Sequence, residues 1–158
     1  MKKVLGSMIC AIALLAAPAY AQDKSADMNM QILRDKIKAD KKAVVAANMP
    51  LSDAEAKTFW PLYDQYQIDL HAINERLARA VLAYADAYNA GPVPDAVAKK
   101  LLDESIRIDE SEVNLRREYA ARLSRVIPAA KAARYLQIES KIRAAVRYEL
   151  AANIPLVE

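Results

Sequence analysis

The sequence predicts an all-α protein: a long αα-hairpin with two flanking helices, elongated, and dimerising through amphipathic seams. Three observations carry that expectation. Apolar residues recur at steps of three and four over long stretches. Prolines fall between those stretches, at Pro50, Pro92, Pro94, Pro128 and Pro155. Only 2 glycines occur in 158 residues, too few for the tight turns of a β-rich fold.

The first helix is expected from about Met30 to Ala47, with Met30, Leu33, Ile37, Val44 and Val45 near one face. Asp40, Lys41 and Lys42 interrupt that face. The second helix has the clearest start. Ser52 is an N-cap, Glu55 stands three residues on as the partner of a capping box, and Leu51 precedes them as a staple residue. Apolar side chains then follow at Phe59, Tyr63, Tyr66, Leu70, Ile73, Leu77, Ala80, Tyr84 and Tyr88, a coiled-coil-like seam. Pro61 is expected to kink this helix, or to end a short first piece at Trp60.

Asn89, Ala90, Gly91 and Pro92 form the one clear turn. Pro94 and Asp95 open the third helix, with Val97, Leu101, Ile108, Leu115, Tyr119 and Val126 as its buried line, wetter in the middle at Ser105 and Glu112. Pro128 starts or kinks the fourth, with Leu136, Ile138, Ile142, Val146 and Leu150 on its face. The apolar tail Ile154, Pro155, Leu156 and Val157 is expected to pack on the helices or to offer an extended docking segment.

Residues 1–21 read as a secretory signal peptide. Lys2 and Lys3 form the charged region, Val4 to Ala17 the apolar stretch, and Ala19, Tyr20 and Ala21 the cleavage pattern. The expected domain plan is 1–21 signal peptide, 22–29 flexible N-terminus and 30–158 a single helical domain, located in the periplasm. Cys10, the only cysteine, lies inside the leader without a lipoprotein context. The mature chain therefore has no disulfide, Cys-ligated metal or thiol nucleophile. Losing Lys2 and Lys3 leaves basic and acidic residues almost equal in number.

Composition excludes several chemistries. The near-absence of glycine rules out a phosphate-cradling loop or a dinucleotide fingerprint. His71 is the only imidazole, so a nucleophilic triad has one position to use. Gln67 and Glu75 flank it one turn away, but so few ligands on one helix make a poor metal site. No catalytic residue, metal or cofactor is expected, and the protein is not expected to be an enzyme.

Two features point to binding instead. Phe59, Trp60, Tyr63 and Tyr66 cluster around Pro61; heptad spacing makes rings core, yet Trp60 leaves the seam register and is the candidate for an exposed aromatic or dimer contact. Charge is also uneven. Residues 103–112 carry Asp103, Glu104, Asp109, Glu110 and Glu112 against Arg107. Residues 116–147 carry Arg116, Arg117, Arg122, Arg125, Lys131, Arg134, Lys141, Arg143 and Arg147 against Glu118 and Glu139. Either the basic stretch pairs with acidic neighbours in the fold, or it forms a surface that captures chains by charge. The candidate client or partner surface is Trp60, Tyr63, Tyr66, Arg116, Arg117, Arg122, Arg125 and Arg134.

Leu51, Ser52, Asp53, Ala54 and Glu55 resemble the L-T-x-x-Q motif of the Spy/CpxP family, with Ser for Thr and Glu for Gln. Val126, Ile127, Pro128, Ala129 and Ala130 lie where that family carries a second copy, without its Thr or Gln. The stretches Phe59 to Tyr63 and Tyr148 to Val157 are similar to an uncharacterised exported bacterial subgroup. The resemblance implies a small exported helical protein whose long hairpin dimerises into a cradle for unfolded chains. With the leader, the four-helix pattern and the basic amphipathic surface, the expected function is an ATP-independent, periplasmic chaperone-like protein that binds non-native polypeptides. The alternative is a regulatory partner of an envelope-stress or metal-responsive sensor, docking on that sensor's periplasmic domain. Nucleic acid is not an expected partner; a homodimer is.

Overall fold

The computed structural model describes residues 40–157. The expected signal peptide, the expected 22–29 segment and the expected first helix as far as Ala39 lie outside the described residues. Val44–Glu158 form one compact unit. Among the described residues all regular structure is helical. α1 covers 40–48, α2 Asp53–Asn89, α3 Asp95–Leu123 and α4 Ala129–Asn153.

Local chemistry sets most of the boundaries. Ser52 is the N-cap of α2: its hydroxyl accepts from the Glu55 amide at 3.4 Å, and the Glu55 carboxylate accepts from the Ser52 amide at 2.7 Å. The capping box read from the sequence is therefore present. α2 then runs unbroken through Pro61 for 37 residues, about 55 Å at the usual rise. The expectation that Pro61 ends a short first piece at Trp60 is not met. Pro61 and Lys57, one turn before it, are both on the exposed side of the helix, where water serves the carbonyl that loses its amide partner. Beyond Asn89 the chain reverses at Gly91, whose φ of +132° is a backbone conformation that glycine adopts without a side-chain clash. Pro94 and Pro128 each precede a helix as N-cap, neither with a side-chain cap bond.

The contacts give the helix directions. Tyr66 meets Tyr119, Arg76 meets Glu104 and Ser111, so α3 runs antiparallel to α2. Gln67 meets Tyr135 and Glu139, Asn74 meets Arg143, and Tyr84 meets Pro155, so α4 runs parallel to α2. The core holds Val45 and Met49 from the end of α1, Phe59, Tyr63, Tyr66 and Ile73 from α2, Ile108, Leu115, Tyr119 and Leu123 from α3, Ile127 from the following turn, and Ala132 and Tyr135 from α4.

Several faces differ from the sequence reading. Val45 is fully buried while its neighbour Val44 is exposed. α3 ends at Leu123, so Leu123 and Ile127 close the core and Val126 points outward in the turn. On α4 the buried line is Ala132, Tyr135 and Glu139; Leu136, Ile138, Ile142 and Leu150 are half-buried and Val146 is exposed. On that rotated face Tyr135 packs among Phe59, Tyr63 and Tyr66 of α2. The tail leaves the helix at Ile154, and Leu156 and Val157 are exposed.

Candidate functional site

The aromatic set does not form a surface. Tyr63 and Tyr66 are each only 3% exposed, and Trp60 packs half-buried against the core. Their rings stand edge to face: Phe59 to Trp60 at 5.0 Å, Trp60 to Tyr63 at 5.3 Å, and Tyr66 to Tyr119 at 5.1 Å. Tyr135 of α4 inserts among them, 5.1 Å from Phe59, 5.9 Å from Tyr63 and 5.7 Å from Tyr66. The sequence reading of Tyr63 and Tyr66 as client-facing is thus corrected to core. A side chain from far downstream covers them, and no local spacing reports that.

The aromatic layer is also polar at its hydroxyls. Gln67 Nε2 donates to Glu139 at 2.9 Å and lies 3.2 Å from the Tyr135 hydroxyl. The Tyr119 hydroxyl donates to the Asp69 carboxylate. Arg122 sits over the Tyr119 ring, 4.4 Å from its centre. Burial pushes the Tyr63 and Tyr119 phenols up to about 12, and pushes Tyr66 and Tyr135 further, with the Glu139 carboxylate adding to the rise at Tyr63, Tyr66 and Tyr135. These phenols act as neutral packing groups. Glu139 is the one buried charged residue among the described residues, and its position on the face of α4 was not visible in the apolar pattern.

The basic stretch divides into two groups. Lys131, Arg143 and Arg147 turn inward to acidic neighbours. Lys131 Nζ reaches both oxygens of Glu55, at 2.7 and 2.8 Å. That bond, with the Ser52 amide, holds the Glu55 carboxyl down to about 2. Arg143 pairs with Glu112, and Arg147 with Asp109 and Glu112. The second group stays at the surface. Arg116, Arg117, Arg125 and Arg134 are exposed. Arg116 reaches Ser140 at 3.4 Å, Arg117 reaches Asn114 at 2.8 Å, and Arg134 donates to the Asn48 carbonyl at 2.6 Å. Arg122, half-buried, pairs with Glu118 at 3.1 Å.

A further surface feature was missed by the sequence reading. Leu102, Ile106 and Val113 of α3 are 61%, 50% and 42% exposed. At 3.6 residues per turn they lie within about 40° of one another, and roughly 140° from the buried line of Ile108, Leu115 and Tyr119. Arg116 and Arg117 bracket this row one turn beyond Val113. The signal was present in the sequence as a second apolar periodicity on α3, hidden by the stronger first one.

His71 Nε2 lies 3.3 Å from Glu75, and both side chains are about half exposed. Among the described residues no group of three or more His, Cys, Asp or Glu is placed to hold a metal ion, and no helix is long and apolar enough to cross a membrane. Comparison of the chain with protein-family models, with curated proteins and with solved structures finds no match.

Proposed function

We propose that this protein is an ATP-independent, chaperone-like binding protein of the periplasm that holds non-native polypeptides on an amphipathic, basic helical surface. The observation that supports it is the outward row of Leu102, Ile106 and Val113, running into Arg116 and Arg117. Apolar side chains in an exposed row retain an unfolded chain by burial, and the flanking guanidinium groups speed its capture. In this reading α2 and α3 are the long hairpin of a homodimer, and the surface used is the outer face of α3 rather than the tyrosines of α2.

The test is aggregation of a chemically unfolded client, followed by light scattering at low and high salt. The wild-type protein is expected to suppress scattering, less so at high salt. Ile106→Glu and the pair Arg116→Glu with Arg117→Glu are expected to lose suppression while unfolding stability changes by no more than about 0.5 kcal/mol, the usual range for surface substitutions. Wild-type protein that leaves scattering unchanged at several-fold excess overturns the reading.

A further inference from the structure

α4 is attached in two different ways along its length. As far as Glu139 it is anchored by burial: Ala132 and Tyr135 lie in the core, and Glu139 is enclosed beside Gln67. Beyond Glu139 none of the described residues of α4 is fully buried. That second half is held by partial burial at Ile142 and Leu150 and by polar side chains, two arginines foremost. Arg143 lies across α2 and α3, donating from Nε to Glu112 at 3.0 Å and from Nη1 to Asn74 at 2.6 Å. Arg147, one turn on, donates to the same Glu112 at 3.1 Å and pairs with Asp109. The Tyr84 hydroxyl then donates to the Pro155 carbonyl at 3.0 Å, so α2 from Asn74 to Tyr84 lies alongside α4 from Arg143 to the tail. Leu77 and Ala80 fall between those two ties in sequence and pack, half-buried, against the core.

One carboxylate thus serves both arginines. Glu112 and Arg143 are each 18% exposed, whereas Arg147 and Asp109 are 35% and 59% exposed and open to screening. We propose that residues 140–153 form an ionic latch, an autoinhibitory cover that opens while 129–139 stay docked. Opening frees Ile142 and Leu150 of α4, half-buried while the latch is closed, for an apolar segment of a non-native chain. The latch is a property of this chain alone; its use in capture rests on the function proposed above.

Hydrogen exchange on the intact protein, without client, tests the latch. Raising sodium chloride from about 0.05 to about 1 M shortens the screening length from above 10 Å to about 3 Å. Exchange in 140–153 is expected to rise several-fold while 129–139 holds. Glu112→Gln is expected to speed exchange in 140–153 roughly tenfold at low salt, the factor equivalent to about 1.4 kcal/mol. Should that variant fail to fold, Arg147→Gln gives the same pattern with smaller amplitude. Exchange in 140–153 that does not change, or that changes only in step with 129–139 and α2, overturns the latch. At low salt, where charge-driven capture is intact, Glu112→Gln is expected to suppress client aggregation better than wild type; a Glu112→Gln chain whose latch is open but which suppresses no better keeps the latch and removes its role in capture.

Discussion

Replacing Tyr135 by Ala tests whether the aromatic layer holds α4 to the rest of the unit. The side chain is fully buried, and its ring makes edge-to-face contact with Phe59, Tyr63 and Tyr66, at interplanar angles of 88°, 60° and 75°. Truncating a buried aromatic to Ala costs about 3–5 kcal/mol. Each ring pair adds about 0.5–1.5 kcal/mol beyond its buried area, so three pairs place this site in the upper half of that range, at about 4–5 kcal/mol. Against a total of about 5–15 kcal/mol this is a large share of the stability. Tyr135→Phe keeps the ring contacts and removes only the hydroxyl facing Gln67, for about 1 kcal/mol. Urea titration followed by circular dichroism measures both, with an unchanged slope if unfolding remains two-state. A loss below about 1.5 kcal/mol for Tyr135→Ala, outside the range for any well-packed aromatic, refutes the reasoning.

Two pH dependences follow from the same contacts. The Glu55 carboxyl is held near 2, below its ordinary value of 4.5, so its contribution is present above about pH 4.5 and is lost as pH falls toward about 2. Glu55→Gln should remove that segment of the acid-stability profile, measured by urea titration at stepped pH; a profile that keeps it assigns the acid sensitivity elsewhere. The buried phenols act at the other extreme. Tyr63 and Tyr119 titrate at about 12 in the folded chain against an ordinary 10, so folding is favoured below about pH 10 and loses that support as pH rises through about 12. Tyrosinate absorbance from these rings should therefore appear together with loss of helix, and its appearance in a chain that is still folded would show that the rings are accessible.

The helices were legible where local chemistry punctuates the chain. Ser52 and Glu55, the Gly91 turn, Pro94 and Pro128 act on residues next to them, and each start or reversal lies where those residues place it. The seam of α2 was legible too, because Phe59, Tyr63, Tyr66 and Ile73 repeat along one face and all are buried. What failed was the face of α4. Counting apolar residues favours Leu136, Ile142 and Val146, but a tyrosine and a glutamate take the inner positions because Gln67 of α2 is there to receive them. That partner lies far away in sequence. The basic stretch shows the same division: nothing local separates Arg143 and Arg147, which meet Asp109 and Glu112, from Arg116 and Arg117, which remain at the surface.

The pairing of Glu55 with Lys131 accounts for the residue types at both helix starts. α2 and α4 run parallel, so their N-termini lie side by side and their positive dipole ends adjoin. Glu55 is the third residue of α2, and Lys131 the third of α4. A neutral Gln at 55 would still close the capping box on Ser52, but it would leave the Lys131 ammonium beside a positive helix end without a counter-charge. The Glu55 carboxylate accepts from two groups at once: the Ser52 amide and, through both oxygens, the Lys131 ammonium. It also places a negative charge where two helix dipoles favour one. α4, whose own N-cap is a proline with no side-chain bond to offer, is thereby fastened at its first turn by the cap of another helix. Burial at Ala132 and Tyr135 continues that attachment for two turns, and beyond Glu139 charge takes over again at Arg143 and Arg147. α4 is thus held by ion pairs at both ends, to Glu55 at its start and to Asp109 and Glu112 in its far half, with full burial only between them.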